Sequence, residues 1–306
     1  MVASQSTFDR NSSALSWEET IVKLRNSPDF KEIIYNSYLD EDLSSNIERF
    51  LVSEEFQATL VLIESFYPGK ADLLDLGAGN GVSAISLALS GFKVTAVDPD
   101  PSETIGCGAI RKLAKEYNLS NINVVQSYGE SLPFNSNSFD IVHVRQAMHH
   151  AADLNKFMLE ISRVLKPGGY LFTIRDHVIY NEKDKIWFLR SHPLHRFYGG
   201  ENAYKESEYS DAMRKSGLEV LKTIRYFDSV LNYAPLTAEN LAELPQQFTR
   251  DLSTRAKQKF GILGNLAPVQ YIYQKAVELK FGGALDERRI PGRMYSFVAT
   301  KPAFAK

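Results

Sequence analysis

The stretch Leu73-Leu74-Asp75-Leu76-Gly77-Ala78-Gly79-Asn80-Gly81, followed by Val94-Thr95-Ala96-Val97-Asp98, decides the reading of this chain. An apolar strand runs into a loop with glycine at alternate positions. Glycine lets the backbone approach a ligand closely and adopt positive φ. The run Val82 to Leu89 starts a helix whose first N–H groups lack intrahelical partners and face the same ligand. A second strand ends in Asp98, where a carboxylate can accept from both hydroxyls of a ribose. The pattern predicts a nucleoside site.

The spacing narrows the nucleoside. A dinucleotide fingerprint needs G-x-G-x-x-G, whereas here the third glycine comes one residue early and Val82 takes the place of the last one. Asp75, two residues before Gly77, suits an amine-bearing or cationic ligand better than a pyrophosphate. Together these residues resemble the class I S-adenosylmethionine-dependent methyltransferases. Three later segments are similar in order and spacing: Gly129-Glu130-Ser131-Leu132-Pro133-Phe134, Ser138-Phe139-Asp140-Ile141-Val142-His143, and the turn Arg163 to Gly169 before Tyr170-Leu171-Phe172. The resemblance covers residues 70–180. It implies an α/β fold with a doubly wound, Rossmann-like sheet and S-adenosylmethionine as cofactor.

Composition sets the bounds. The 306 residues can bury a substantial core. A hydrophobic share of 44%, a charged share of 24% and a net charge of −2 describe an ordinary globular protein without a basic footprint for nucleic acid. The single cysteine, Cys107, cannot form an internal disulfide and reads as a small apolar filler on a helix. No stretch of about 18 apolar residues is available for a membrane span, and no basic-then-apolar leader precedes the fold. The expectation is a cytoplasmic enzyme with a small-molecule acceptor and no nucleic-acid or membrane partner. A homodimer is left open.

Along the chain, residues 1–15 are rich in Ser and Asn and read as loose. Ser16-Trp17-Glu18-Glu19 has capping-box spacing and opens an N-terminal helical cap, 1–69, with helices near 29–37, 43–50 and 53–66. Pro68-Gly69 closes it. The core, 70–228, alternates strands at 72–76, 93–97, 122–126, 139–144 and 169–175 with helices at 81–90, 102–117 and 153–165. Short apolar strands separated by helices predict a parallel sheet covered on both faces. Strands at 219–227 and 294–300 complete it. In the family these two are joined by a tight hairpin, but here residues 229–292 intervene. Helix-like runs at 237–244, 246–260 and 266–281 make this segment a helical insertion rather than a structureless loop. It is expected to pack on the core at the substrate side, leaving 293–306 as the last strand and C-terminus.

The resemblance assigns cofactor contacts residue by residue. Asp75, Gly77 and Gly79 hold the methionine end, Asp98 the ribose, and Pro99 the adenine face. Tyr128, Gly129 and Glu130 lie beside the adenine, Tyr128 replacing an acid common in relatives. Arg145 and Gln146, past the fourth strand, face the methionine chain.

Acceptor chemistry is expected at the carboxyl ends of the strands, where His149-His150 and Asp176-His177 fall, with His192 and His195 beyond. His177, His150 and His195 are the candidate general bases for a hydroxyl acceptor. Asp176, His177, His192 and His195 also make an oxygen–nitrogen set able to hold a divalent metal, although no metal is assigned. Tyr35 and Tyr38 resemble a cofactor lid, and His192 and Tyr198 read as substrate-facing. The segment 192–204 weakly resembles methyltransferases of polysaccharide or glycosylated-metabolite pathways. O-methylation of a small molecule is the leading expectation. C-methylation of a quinone, lipid or polyketide, or cofactor binding without catalysis, are the alternatives.

Overall fold

The structure, a computed structural model, describes residues 15–303. The Ser- and Asn-rich start therefore lies almost wholly outside the described residues. Local signals build the N-terminal cap as their chemistry requires. Ser16 closes a full capping box with Glu19 at the start of α1 (Trp17–Arg25). After α2 (Lys31–Asn36), Asp42 accepts from Ser45 N–H to start α3 (Leu43–Leu51), and Ser53 accepts from Phe56 N–H to start α4 (Glu54–Phe66).

The core then alternates: β1 (Asp72–Leu76), α5 (Val82–Leu89), β2 (Lys93–Asp98), α6 (Cys107–Glu116), β3 (Ile122–Gln126), β4 (Phe139–Arg145), α7 (Leu154–Val164) and β5 (Leu165–Ile179). α6 begins five residues later than expected, because Pro101 to Gly106 form turns anchored on Asp100, whose carboxylate accepts from Ser102 N–H. α8 (Glu182–Ser191), α9 (His195–Tyr198), β6 (Tyr204–Lys205), α10 (Glu206–Lys215) and β7 (Glu219–Ile224) follow. The insertion holds α11 (Val230–Tyr233), α12 (Ala238–Phe260) and α13 (Ala267–Phe281), and β8 (Met294–Thr300) ends the fold.

The main sheet has the order β3-β2-β1-β4-β5-β8-β7, with β6 pairing the far end of β5. The first five strands are parallel, and β8 runs antiparallel to both β5 and β7. Each face buries its own core. Leu73, Val94, Ile141, Phe172 and Ile174 pack under α3, α4 and α5, while Leu74, Val142, Leu171 and Val178 pack against α7 and α10. Every strand from β1 to β5 thus delivers its carboxyl end, and the loop after it, to one edge of the sheet.

The insertion divides in two. α11 packs on α4, β5 and β8. Its Asn232 donates to the carbonyls of Ile224 and Arg225 and shares a hydrogen bond with Ser296. α12 and α13 instead pack mainly on one another. α12 runs unbroken through Pro245, where two helices were expected, and buries only Leu252 and Ala256. α13 buries nothing, and Ile262, Leu263 and Leu266 at the hairpin's tip are exposed.

A buried ion pair joins the cap to the sheet. Glu55 on α4 accepts from Arg145 Nε and Nη2 at 2.6 and 3.2 Å, and Arg175 Nη1 lies 3.5 Å from the same carboxylate. Burial alone would raise the Glu55 pKa, but the two guanidiniums outweigh it and hold the carboxyl below its usual range. The stabilisation is therefore complete above the unfolded-chain value and is lost as pH falls through the lower folded one. Glu55→Gln should lower the unfolding free energy by about 3–5 kcal/mol, because it strands two buried cations. Urea denaturation checks this, and a loss under about 1 kcal/mol would indicate a solvated, surface-like pair.

Candidate functional site

β1 carries the chain into the glycine loop. Gly77, Gly79 and Gly81 have φ of 76, 54 and 90°, in the left-handed region that favours glycine. A side chain at Gly77 would also collide with Ala147 of the loop after β4. Asp98 closes the loop from β2. Its Oδ2 accepts from Gly79 N–H at 2.8 Å and its Oδ1 from Asp100 N–H at 2.9 Å. Burial pushes its carboxyl up to about 6, against the pull of those two N–H groups. Asp75 is buried beneath the loop. Its Oδ1 lies 2.7 Å from His143 Nδ1, and its Oδ2 has no hydrogen-bond partner among the described residues. An unpaired buried carboxylate oxygen is costly. A donor such as the ammonium group at the methionine end of S-adenosylmethionine would satisfy it, so these residues fit that cofactor.

The remaining cofactor candidates are placed as follows. Pro99 follows Asp98, and its carbonyl accepts from Gln126. Tyr128 is exposed, and Gly129 lies so close under Phe157 that no side chain would fit. Glu130 Oε1 accepts from Ala152 and Asp153 N–H and so braces the turn before α7. Arg145 is committed to Glu55 rather than to open space. Gln146 has φ of 51° and reaches Met294 Sδ at 3.6 Å. Tyr38, with φ of 56°, gives its carbonyl to Asn80 Nδ2 at 2.7 Å, joining the cap to the glycine loop. Tyr35 is exposed, with the Arg49 guanidinium 3.8 Å from its ring centroid.

On the far side of the Gln146 loop lies a cluster that sequence reading located only in part. His149 Nδ1 is 3.0 Å from Asp176 Oδ1, and its Nε2 is 3.4 Å from Glu201 Oε2. The His177 and His149 rings are 4.9 Å apart, and His177 Nδ1 is 2.6 Å from the Gly292 carbonyl. His192 Nδ1 is 3.7 Å from Glu201 Oε1, and the Tyr198 hydroxyl donates to that same oxygen. Burial works against charge on His149, but the neighbouring Asp176 and Glu201 carboxylates push it up to about 9. Burial and the neighbouring His149 hold His177 well below its ordinary value. His150 turns outward to the Gly200 carbonyl, and His195 Nδ1 has no partner among the described residues. Tyr198 packs on Trp17 at 4.9 Å, which ties this loop to the N-terminal cap. The sequence placed His149 with His150 after the fourth strand, but Glu201, six residues beyond His195, carried no signal of its own.

Arg175, His177, His192, Tyr226, Asn232 and Met294 are among the residues that line a cavity of about 170 Å³ here. The start and end of the insertion, Ala234 and Ile290 to Gly292, complete its wall. The arrangement gathers polar, hydrogen-bonding groups around the carboxyl end of β5, with Phe188 supplying an apolar surface.

Known proteins share this architecture. A family profile described as a methyltransferase domain matches residues 74–173. An uncharacterized methyltransferase of Bacillus subtilis is 37% identical over 121 residues, covering 37% of this chain and 43% of its own length. The chain thus spans less than half of that relative. The sterol 24-C-methyltransferase of Saccharomyces cerevisiae is 28% identical, with 86% of this chain and 74% of the relative covered. Haemonchus contortus phosphoethanolamine N-methyltransferase 2, in complex with S-adenosylmethionine, shares the fold with a TM-score of 0.53 at 21% identity, over 94% of this chain and 60% of that one. The match to a methyltransferase domain thus spans residues 74–173, and the relatives it points to are methyltransferases.

Proposed function

We propose that this protein methylates an oxygen of a small, polar acceptor. The observation that carries the reading is the juxtaposition of two features at one sheet edge: the glycine loop with the unpartnered Asp75 oxygen, and the cavity walled by His177, His192 and Asn232. When bound, S-adenosylmethionine supplies an electrophilic methyl group on a sulfonium. The chain's own residues do the rest. Asp75 and the loop amides fix one end of the cofactor and Asp98 the ribose. The cavity strips water from the acceptor and aligns it for in-line attack. A hydroxyl must lose its proton as the bond to carbon forms, and the imidazoles at the wall can accept it. His177 has its Nδ1 engaged by Gly292, which leaves Nε2 as its free atom.

A second reading is C-methylation of a lipid-like acceptor. It is favoured by the sterol 24-C-methyltransferases of Saccharomyces cerevisiae and Kluyveromyces lactis, which match 86% and 85% of this chain. Incubation with methyl-labelled S-adenosylmethionine and two acceptor panels, hydroxylated glycosides and sterols or quinones, separates the readings. O-methylation predicts labelled ethers and S-adenosylhomocysteine release from the first panel. Label on carbon would replace that reading with the second. S-adenosylhomocysteine binding without turnover on either panel would indicate a cofactor-binding protein that does no chemistry.

Two variants refine the assignment. Asp98→Ala should weaken S-adenosylhomocysteine binding by about 1.5–3 kcal/mol, the range for hydrogen bonds to a charged group, while NAD fails to bind either protein in calorimetry. Protonation removes an acceptor from Asp98, so affinity in the unmodified protein should fall as pH drops through about 6. Asp98→Asn should abolish that dependence; an identical pH profile would place the ribose contact elsewhere. His177→Ala should lower turnover by roughly 10²–10⁴-fold with cofactor affinity unchanged. Retained turnover in a folded variant would remove His177 from the reaction.

A further inference from the structure

We propose that His149, His177 and Glu201 bind a divalent transition-metal ion, zinc by preference, beside the acceptor cavity. Their donor atoms lie within 4.8 Å of one another, and all three residues are buried. They come from three separate segments: the turn after β4, the end of β5 and the loop before β6. A tetrahedral zinc with bonds near 2.0–2.1 Å sets its donors about 3.3 Å apart, a closure that side-chain rotation can supply.

The outer contacts are those that a metal site needs. Ligating imidazoles give their second ring N–H to a carboxylate or a backbone carbonyl, which fixes the tautomer and turns the other lone pair to the metal. His149 Nδ1 meets Asp176 Oδ1 at 3.0 Å and His177 Nδ1 meets the Gly292 carbonyl at 2.6 Å. Both rings therefore present Nε2. Glu201 is held the same way: Tyr198 occupies Oε1, and Oε2, 3.4 Å from His149 Nε2, has no hydrogen-bond partner among the described residues. Asp176 Oδ2 is unpartnered as well. Two buried carboxylates with unpartnered oxygens offer a dication its counter-charge.

The donor set selects the ion. Two imidazoles and one carboxylate, with a fourth position open, suit zinc and its neighbours, whereas magnesium and calcium take oxygen ligands. Of the three ligands, His177 is the one that adjoins His192 and the cavity. With His177 on the metal, its contribution to turnover passes through the ion, and His192 remains as the imidazole that takes the acceptor proton. Metal binding itself does not depend on which acceptor is methylated.

The test uses the full-length protein, stripped with a chelator and titrated with Zn²⁺ by calorimetry and with Co²⁺ by visible spectroscopy. One equivalent per chain, with the intense absorption of four- or five-coordinate Co²⁺, is expected. Asp176→Asn should weaken binding by about 10–100-fold, and His149→Ala or Glu201→Gln at least as much. Zn²⁺ should raise the thermal midpoint of the unmodified protein and leave that of Glu201→Gln unchanged, a comparison that holds even where the variant is less stable. Absence of stoichiometric binding would overturn the proposal, as would Zn²⁺ affinity unaltered by His149→Ala and Glu201→Gln.

Discussion

The Glu55 carboxylate is the interior charge on which the rest of the structure depends. It is the only acid recorded against either the Arg145 or the Arg175 guanidinium among the described residues, and it belongs to the N-terminal cap rather than to the sheet. Arg175 continues the connection, donating to the carbonyls of Leu231 and Ala234 at 3.3 and 2.8 Å. Cap, β4, β5 and insertion therefore meet at one buried polar centre. Since neither guanidinium can shed its charge, withdrawal of the cap would leave two buried cations unpaired, and withdrawal of the insertion would cost Arg175 two carbonyl acceptors. The centre thus ties Arg175, which lines the cavity, to the cap and to the insertion.

Three residues other than glycine adopt positive φ around that centre: Tyr38, Gln146 and Arg175. Such conformations cost of order 1–3 kcal/mol each and persist where the surroundings over-determine them. Here the determinants are visible. The Tyr38 carbonyl accepts from Asn80, Gln146 N–H donates to the Ile174 carbonyl at 2.9 Å, and Arg175 N–H donates to Ser296 Oγ at 3.1 Å. Each strained residue lies where one layer of the site meets the next, and each is stitched to a different element.

The sheet and its cofactor loop were legible in the sequence because their signals are local. Alternate glycines, an acid at the end of β2 and short apolar strands specify backbone geometry within a few residues, as does the Ser16–Glu19 box. Long side chains were harder. Arg145 was expected past the fourth strand, facing the methionine chain, but it ends β4 and its guanidinium goes to a buried carboxylate, and Glu55 lies 90 positions away. The α12–α13 hairpin misled for the opposite reason. Its periodicity identified helices, yet with an apolar ring exposed on α13 the pattern carried no information about which surface they would cover. Pro245 read as a helix end, and its missing N–H is accommodated within a long, solvent-exposed helix instead.

The sharpest divergence between sequence and structure is one residue on β5, and it decides the chemistry. Between the pairs Thr173–Phe297 and Asp176–Tyr295, β5 spends three steps where β8 spends two. A single extra residue reverses the alternation of every side chain beyond it. The cores record the reversal: Leu171 and Val178, an odd number of positions apart, pack on the same face. Strict alternation from Leu171 would have put Val178 with Phe172 and Ile174 on the other. Asp176, sharing parity with Val178, is thereby turned to the side where His149 follows β4. Arg175, at the bulge with its positive φ, is freed to reach Glu55 and α11. One inserted residue thus goes with a cationic centre supplied to the cap and an acidic one supplied to the histidine cluster.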